Sequence, residues 1–233
     1  MNPFSVFIPV YNEEDIIVGN TERMIGYLDS LNTPYEIIIV SNGSTDKTAE
    51  LGEELRAEYG KVKFAHLSGR ETGGALGKGL SLASYDHIIT VDMDLSVGME
   101  FIGTANSLLS QGFDIVIGSK RIGSQKRSLL RKTASTVFIV SAMLLLGLSF
   151  DDYSIGAKAY TKRTLEECRG KLKGGTFYVV EVLYAAHKRN YKTVEIPVAC
   201  RDNRKSKFNL LHEGVYRFGN LFLLWIRSAF KKT

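Results

Sequence analysis

Residues 37–46, IIIVSNGSTD, run four apolar positions straight into six that hold no apolar side chain. An unbroken run of this kind is a strand buried on both faces, and it stops at a polar turn. Outward from it the first half of the chain repeats the pattern. FSVFIPV (4–10), VKFAHL (62–67), HIITVD (87–92) and FDIVIGS (113–119) are strand-like, and helical stretches such as DKTAELGEELRAEYG (46–60) and EFIGTANSLLSQG (100–112) separate them. Apolar strands alternating with helices predict an α/β fold with a mostly parallel sheet covered by helices on both faces. In such sheets ligands bind where the strands end, so the segments after them carry the functional expectation. They read PVYNEE, SNGSTD, SGRETGG, DMDLS and SKRIGS, and each is polar.

The 233 residues, 44% of them hydrophobic, suffice for one large domain. Cys168 and Cys200 form no CxxC and have no neighbouring histidine pair, so they read as small core residues in a reducing compartment. The start, MNPFSVFIPVYNEE, lacks the basic region of a secretory leader, which predicts a protein that begins inside the cell. Thirty basic against 25 acidic residues give a net charge of +5, a mixed surface that favours anionic partners and leaves nucleotide, phospholipid and RNA open. No aromatic-basic recognition motif interrupts the α/β pattern, so no nucleic-acid partner is expected.

Two stretches raise the question of a membrane. Residues 133–150 hold no charge, but serines, threonines and a glycine dilute them, and the expectation is a buried or interfacial helix. From Leu211 onward Leu211, Val215, Phe218, Phe222 and Trp225 fall on one side of a helix, with Glu213, Arg217, Asn220, Arg227 and Lys231 on the other. That stripe either packs on the domain or docks on a membrane surface or a small partner subunit.

The chemistry begins at VDMDLS (91–96), where Asp92 and Asp94 stand two apart at a strand end. Both can reach one Mg2+ or Mn2+ and the phosphates it holds, since these ions take oxygen ligands and keep places for substrate phosphate. The four histidines, His66, His87, His187 and His212, form no spaced pair and read as structural.

PVYNEE, NGSTD, VDMDLS, IGSKR and SIGAKAY, in this order, resemble the family 2 glycosyltransferases of the GT-A (Rossmann-like) fold, nearest in pattern to the polyprenyl- or dolichyl-phosphate hexosyltransferases. The resemblance runs from Phe4 to about Phe208. It implies a catalytic domain over 1–208, followed by the amphipathic helix over 209–233. It places Pro9, Tyr11 and Glu13 against the donor nucleoside, with Asp92 and Asp94 on the metal and the sugar-nucleotide diphosphate. Ser41 and Asn42 stand where the family commonly has two acids that serve the base or ribose, and Ser96 where lipid-phosphate mannosyltransferases often have Gln. In the glycine-rich segment SGRETGGALGKG (68–79) Thr72 and Gly77 replace basic residues, leaving Lys78 as the candidate donor-phosphate cation.

DDYSIGAKAY carries over Asp152, with Ala157 in place of an aromatic; TFYVVEVLYAA keeps Glu181 but has Val179 at a polar position. EIPVACRDNRKSKF keeps Arg201, Arg204, Ser206 and Lys207 for the acceptor phosphate. A lipid phosphate is already anionic, so it needs cations to hold it in line more than it needs a base, and Lys120, Arg121 and Arg131 are further suppliers. The expected catalytic set is Asp94, Asp152 and Arg131. The expected function is metal-dependent inverting transfer of a hexose, mannose or glucose, from a nucleotide-diphosphate sugar to a polyprenyl phosphate at the cytoplasmic face of a membrane. Its rivals are a transferase acting on a glycan or protein-linked acceptor, and a donor-binding subunit without turnover.

Overall fold

A computed structural model describes residues 1–125, 129–172, 175–200 and 210–230. In chain order its elements are β1 (Phe4–Val10), α1 (Ile17–Ser30), β2 (Tyr35–Asn42), α2 (Thr48–Glu58), β3 (Val62–Leu67), α3 (Thr72–Leu82), β4 (His87–Thr90) and α4 (Glu100–Ser110). Then follow β5 (Ile115–Gln125), α5 (Leu129–Leu146), β6 (Lys158–Thr161), α6 (Lys162–Glu167), α7 (Tyr178–Lys188), β7 (Thr193–Cys200) and α8 (Leu210–Phe230). The strands form one seven-stranded sheet in the order β3-β2-β1-β4-β6-β5-β7. Only β6 is antiparallel to its neighbours, so the sheet is mostly parallel, as the alternating pattern predicts.

Side-chain alternation divides each strand between two cores. In β2, Ile37 and Ile39 join Ile17, Met24 and Leu28 of α1 on one face, while Ile38 and Val40 join Phe7, Leu76 and Leu80 on the other. All of these are at most 1% exposed, and each such side chain stabilises the fold by about 1.5–3 kcal/mol. The glycine-rich segment serves packing at Gly79, where a Cβ would lie 2.3 Å from the Phe7 ring. Helix α3 therefore settles close against β1.

Helix α5 buries Phe138, Ala142 and Leu146 at helical spacing and ends at Gly147, whose φ of +70° lets the Leu148 N–H reach back to the Ala142 carbonyl. Among the described residues no helix is long and apolar enough to cross a membrane. Helix α8 packs on α5 with the opposite face from the one the apolar stripe suggests. Leu221 and Leu224 are buried and Arg217 and Asn220 turn inward, whereas Val215, Phe218, Phe222 and Trp225 are exposed. Phe218 still touches α5 edge-on at Phe138, ring centroids 5.4 Å apart. The polar side of the stripe is thus, in part, the inner side, where Glu213 accepts from Thr176 and Arg217 lies over Phe138 and donates to the Tyr153 carbonyl.

Candidate active site

The site lies where β1, β2 and β4 end and β6 begins. At the β1–β2 end, loops from two strands are stitched together. The Asn12 N–H donates to Ser44 Oγ (3.1 Å), Asn12 Oδ1 accepts from the Thr45 N–H (2.8 Å) and the Glu13 N–H donates to Thr48 Oγ1 (2.8 Å). Asn12 adopts φ +53°, a left-handed turn that Asn tolerates better than most residues. Gly43 is required at φ +74°, since a Cβ there would lie 2.9 Å from the Gly69 backbone. Tyr11 stands half-buried beneath the Arg70 guanidinium, 4.1 Å from its ring centroid, and Pro9 is half-buried in β1.

The two positions that replace acids are both engaged. Asn42 Oδ1 accepts the Glu71 N–H at 2.6 Å, tying β2 to the start of α3. Ser41 is fully buried, with Oγ 3.0 Å from Nδ1 of His66, and His66 is exposed. The side chain that faces solvent here is therefore the histidine of β3. Lys78 sits at an exposed position beyond the first turn of α3.

Beyond β4 the chain turns through DMDLS. Leu95 takes φ +50°, uncommon for a residue with a branched side chain, and Asp94 Oδ1 accepts the Ser96 N–H at 3.0 Å. Asp92 is exposed, yet its carboxylate abuts Gly156: a Cβ on that glycine would lie 2.3 Å from Asp92 Oδ1. Desolvation by the surrounding chain and the like charge of Asp94 push the Asp92 carboxyl up, against the pull of Lys158, Lys120 and the Gly156 N–H. Two carboxylates that raise each other's cost of ionisation fit a divalent cation, which removes that repulsion. Among the described residues no third acid, histidine or cysteine joins them.

Opposite them lies a buried charge cluster. Asp152 Oδ1 accepts the Ser154 N–H (2.8 Å), Ser154 Oγ (3.0 Å) and the Ile155 N–H (3.1 Å), and Oδ2 is 3.3 Å from Lys120 Nζ. Lys120 also donates to Ser154 Oγ at 2.8 Å. Burial pushes the Asp152 carboxyl up, but Lys120, Lys158 and the Ser154 hydrogen bonds outweigh it and hold the group below its ordinary range. Lys158, buried, donates to the Ile155 carbonyl; desolvation lowers it to about 8, with Asp152 and Asp92 opposing and Lys120 and Arg217 assisting. The loop is braced from β7, where Glu195 accepts the Asp151 N–H (2.9 Å) and the Asp152 N–H (3.2 Å).

Of the residues singled out from sequence, Asp92, Asp94, Asp152 and Lys120 thus meet in one region. Pro9, Tyr11, Glu13, Ser41 and Asn42 gather at the β1–β2 ends. Arg121 lies in β5 and Arg131 in the first turn of α5, but their side chains, like all of Arg201, Arg204, Ser206 and Lys207, lie outside the described residues. Sequence reasoning passed over Lys158, Gly156, His66 and Arg217. Lys158 and Gly156 were within reach, because both stand in the quoted SIGAKAY; His66 and Arg217 depend on which strand or helix packs beside them.

The mostly parallel sheet with a polar site at its strand ends defines a GT-A type architecture. Glucosyl-3-phosphoglycerate synthase from Mycobacterium tuberculosis, solved with Mn2+ and UDP-glucose, superposes with a TM-score of 0.71 at 18% identity, covering 96% of this chain and 79% of that one. At that identity the likeness is one of fold. The family model "Glycosyl transferase family 2" matches residues 5–169, and the chain belongs to that family. Among curated relatives, undecaprenyl-phosphate 4-deoxy-4-formamido-L-arabinose transferase of Serratia proteamaculans is 31% identical over 209 residues, and that of Pectobacterium atrosepticum 35% over 211. Each alignment covers 89% of this chain and 63% of the relative, so the chain spans less than two thirds of the length of these proteins.

Proposed function

We propose that the protein transfers a sugar, with inversion, from a nucleotide-diphosphate donor to a polyprenyl phosphate. The observation that carries this reading is the meeting of Asp92 and Asp94 with the Lys120–Asp152–Lys158 cluster across Gly156, in a chain aligned over most of its length with enzymes named for an undecaprenyl-phosphate substrate. Tyr11 and the exposed His66 offer the donor base an aromatic face and a polar edge. Asp92 and Asp94 would hold Mg2+ or Mn2+, which when bound neutralises the diphosphate that leaves.

Asp152 serves this site by position. It stays ionised at neutral pH and its Oδ1 is committed to three hydrogen bonds, so it fixes Lys120 and takes no proton. No strong base is required. An acceptor phosphate oxygen, already anionic, forms the new bond to the anomeric carbon as the bond to the diphosphate breaks, and fixed cations hold it in line. Lys120 and Lys158 are the described cations nearest that path, with Arg131, Arg201, Arg204, Ser206 and Lys207 as further acceptor contacts from the sequence pattern.

The sugar expected from sequence, a hexose, differs from the 4-deoxy-4-formamido-L-arabinose in the relatives' names. A donor panel of UDP- and GDP-hexoses and a UDP-pentose, given with Mn2+ and a polyprenyl phosphate, decides between them. Transfer from one member supports the reading; donor binding without transfer to any lipid phosphate overturns it in favour of a binding subunit. Asp94→Ala should lower transfer by several powers of ten with an unchanged thermal midpoint.

Residues 1–208 would then be the catalytic domain and 209–233 a docking helix at the cytoplasmic face of a membrane. Exposed Val137, Val140, Met143 and Leu144 on α5, with Val215, Phe222 and Phe230 on α8, offer apolar side chains to lipid, a small membrane subunit being the rival occupant. Deleting α8 would also uncover α5, so the test is Phe222→Ser with Phe230→Ser, which should reduce flotation with anionic vesicles while the fold persists.

A further inference from the structure

Helix α8 carries a charge on its inner side. The Arg217 guanidinium lies over the Phe138 ring, 4.6 Å from its centroid, and Nη2 donates to the Tyr153 carbonyl at 3.3 Å. Nε is buried and meets no acceptor among the described residues. Burial lowers the Arg217 pKa, against the charges of Glu213, one turn earlier and hydrogen-bonded by Thr176, and of Asp152. A helix that only had to clamp α5 would do so better with Leu or Met, because a buried guanidinium with an unused donor costs free energy.

Asp152 has the complementary mismatch. Its Oδ2 is buried and accepts no hydrogen bond among the described residues, although Lys120 Nζ stands 3.3 Å away. With Asp92 and Asp94 serving the donor and its metal, Asp152 is the carboxylate left facing Lys120, Lys158 and Arg217. Three cations around one carboxylate make a field that an added anion would balance. The guanidinium fork suits a phosphate, to which it can give two parallel hydrogen bonds.

Resting on the function proposed above, we propose that Arg217 binds the phosphate of the acceptor, so that the helix presenting apolar side chains outward supplies a phosphate ligand on its inner face. The donor diphosphate is the other source of the same chemistry. Position favours the acceptor: Arg217 touches Tyr153, just before β6, and Phe138 of α5, whereas the donor-side residues Tyr11 and Asn12 follow β1 on the other side of β4. A lipid phosphate lying along α8 would keep its chain beside the exposed face and its head at Arg217.

The test uses the full chain, a short water-soluble prenyl phosphate, Mn2+ and whichever nucleotide sugar the panel selects. Arg217→Met keeps the stem on Phe138 and removes the charge. It should raise the acceptor KM about tenfold or more, the loss of one charge-assisted contact, with donor KM within about twofold and Tm not lowered. Arg217→Lys should recover part of the acceptor KM. An unchanged acceptor KM overturns the assignment, as does a fall in Tm with both KM values unchanged, which marks a structural clamp. A rise confined to donor KM assigns Arg217 to the diphosphate and overturns it too. Calorimetric titration of the prenyl phosphate separates the two levels of the argument. If the wild-type protein neither binds nor uses it, the proposed function falls and takes this inference with it. If wild type and Arg217→Met bind it equally, only the inference falls.

Discussion

Two buried carboxylates stand at opposite ends of the strands, each with a lysine. Glu36, at the start of β2, accepts Ser5 Oγ (2.7 Å) and the Ser84 N–H (2.6 Å) on one oxygen and lies 2.7 Å from Lys63 Nζ with the other. Lys63 in turn donates to the Leu82 carbonyl and to Ser84 Oγ. Every partner is used, and burial, which would raise the Glu36 carboxyl, is outweighed by Lys63, Ser84 and Ser5, so the group is held low. Asp152, at the end where β4 stops, is also held low, but its Oδ2 and the nearby Arg217 Nε have no hydrogen bond among the described residues. A closed network ties β1, β2 and the chain after α3 together. An open one leaves polar capacity that the described residues do not fill.

The comparison breaks most visibly through Gly156, which packs against Asp92 and stands between it and the Asp152 network. Gly156→Ala would drive a methyl into the Asp92 carboxylate and push it aside without removing it. Displacing a reacting group by an ångström costs about a hundredfold, so transfer should fall by about that factor while Tm stays close to wild type. Activity within a few-fold of wild type would mean that Asp92 need not stand where it does.

Next in size is the pair itself. Glu36→Gln loses charge-assisted hydrogen bonds at the far end, about 1.5–3 kcal/mol, and should lower Tm by several degrees with kcat unchanged. Asp152→Asn keeps an acceptor for Ser154 and Ile155 but removes the charge facing Lys120, so transfer should fall more than tenfold. If Glu36→Gln impairs transfer as much as Asp152→Asn does, the closed-versus-open distinction is wrong.

Asp152 also has a pH signature. Its folded pKa is depressed, so the unfolded chain binds the proton more readily and the group adds stability above the unfolded value, about 3.9, that is lost as pH falls through the folded value. The Tm gap between wild type and Asp152→Asn should therefore be widest near neutrality and narrow below about pH 4. A gap independent of pH would show that hydrogen bonding, not charge, is what Asp152 contributes.

The strands were legible because their signal is local: IIIV and FSVFIPV are buried on both faces whatever surrounds them. Asp92 and Asp94 were legible as a pair of acids just after a strand, and the structure has them there, following β4. The helix α8 was legible as amphipathic but not in its orientation. Which side turns inward depends on Phe138 and Tyr153 accepting a guanidinium, and neither is a neighbour of Arg217 in sequence. Gly156 read as part of a motif without its reason, which is the carboxylate packed against it from a different strand.

The smallest expected effect concerns the donor end, where SNGSTD leaves a serine in place of an acid. An acid there was expected to meet the base or ribose, and on that view Ser41→Asp would tighten donor binding. In the structure Ser41 is buried, its Oγ is 3.0 Å from Nδ1 of His66, and the imidazole is what faces solvent. A carboxylate introduced at 41 would take the imidazole as its partner and leave the ligand's contacts nearly unchanged, so Ser41→Asp should alter the donor Kd by less than about threefold. His66→Ala removes the exposed ring and its hydrogen bond and should weaken donor binding several-fold, about 1 kcal/mol. Calorimetric titration of both variants with the selected nucleotide sugar and Mn2+ gives the order. Tenfold tightening by Ser41→Asp, with no loss in His66→Ala, would mean that the donor reaches position 41 itself and that His66 swings aside to admit it.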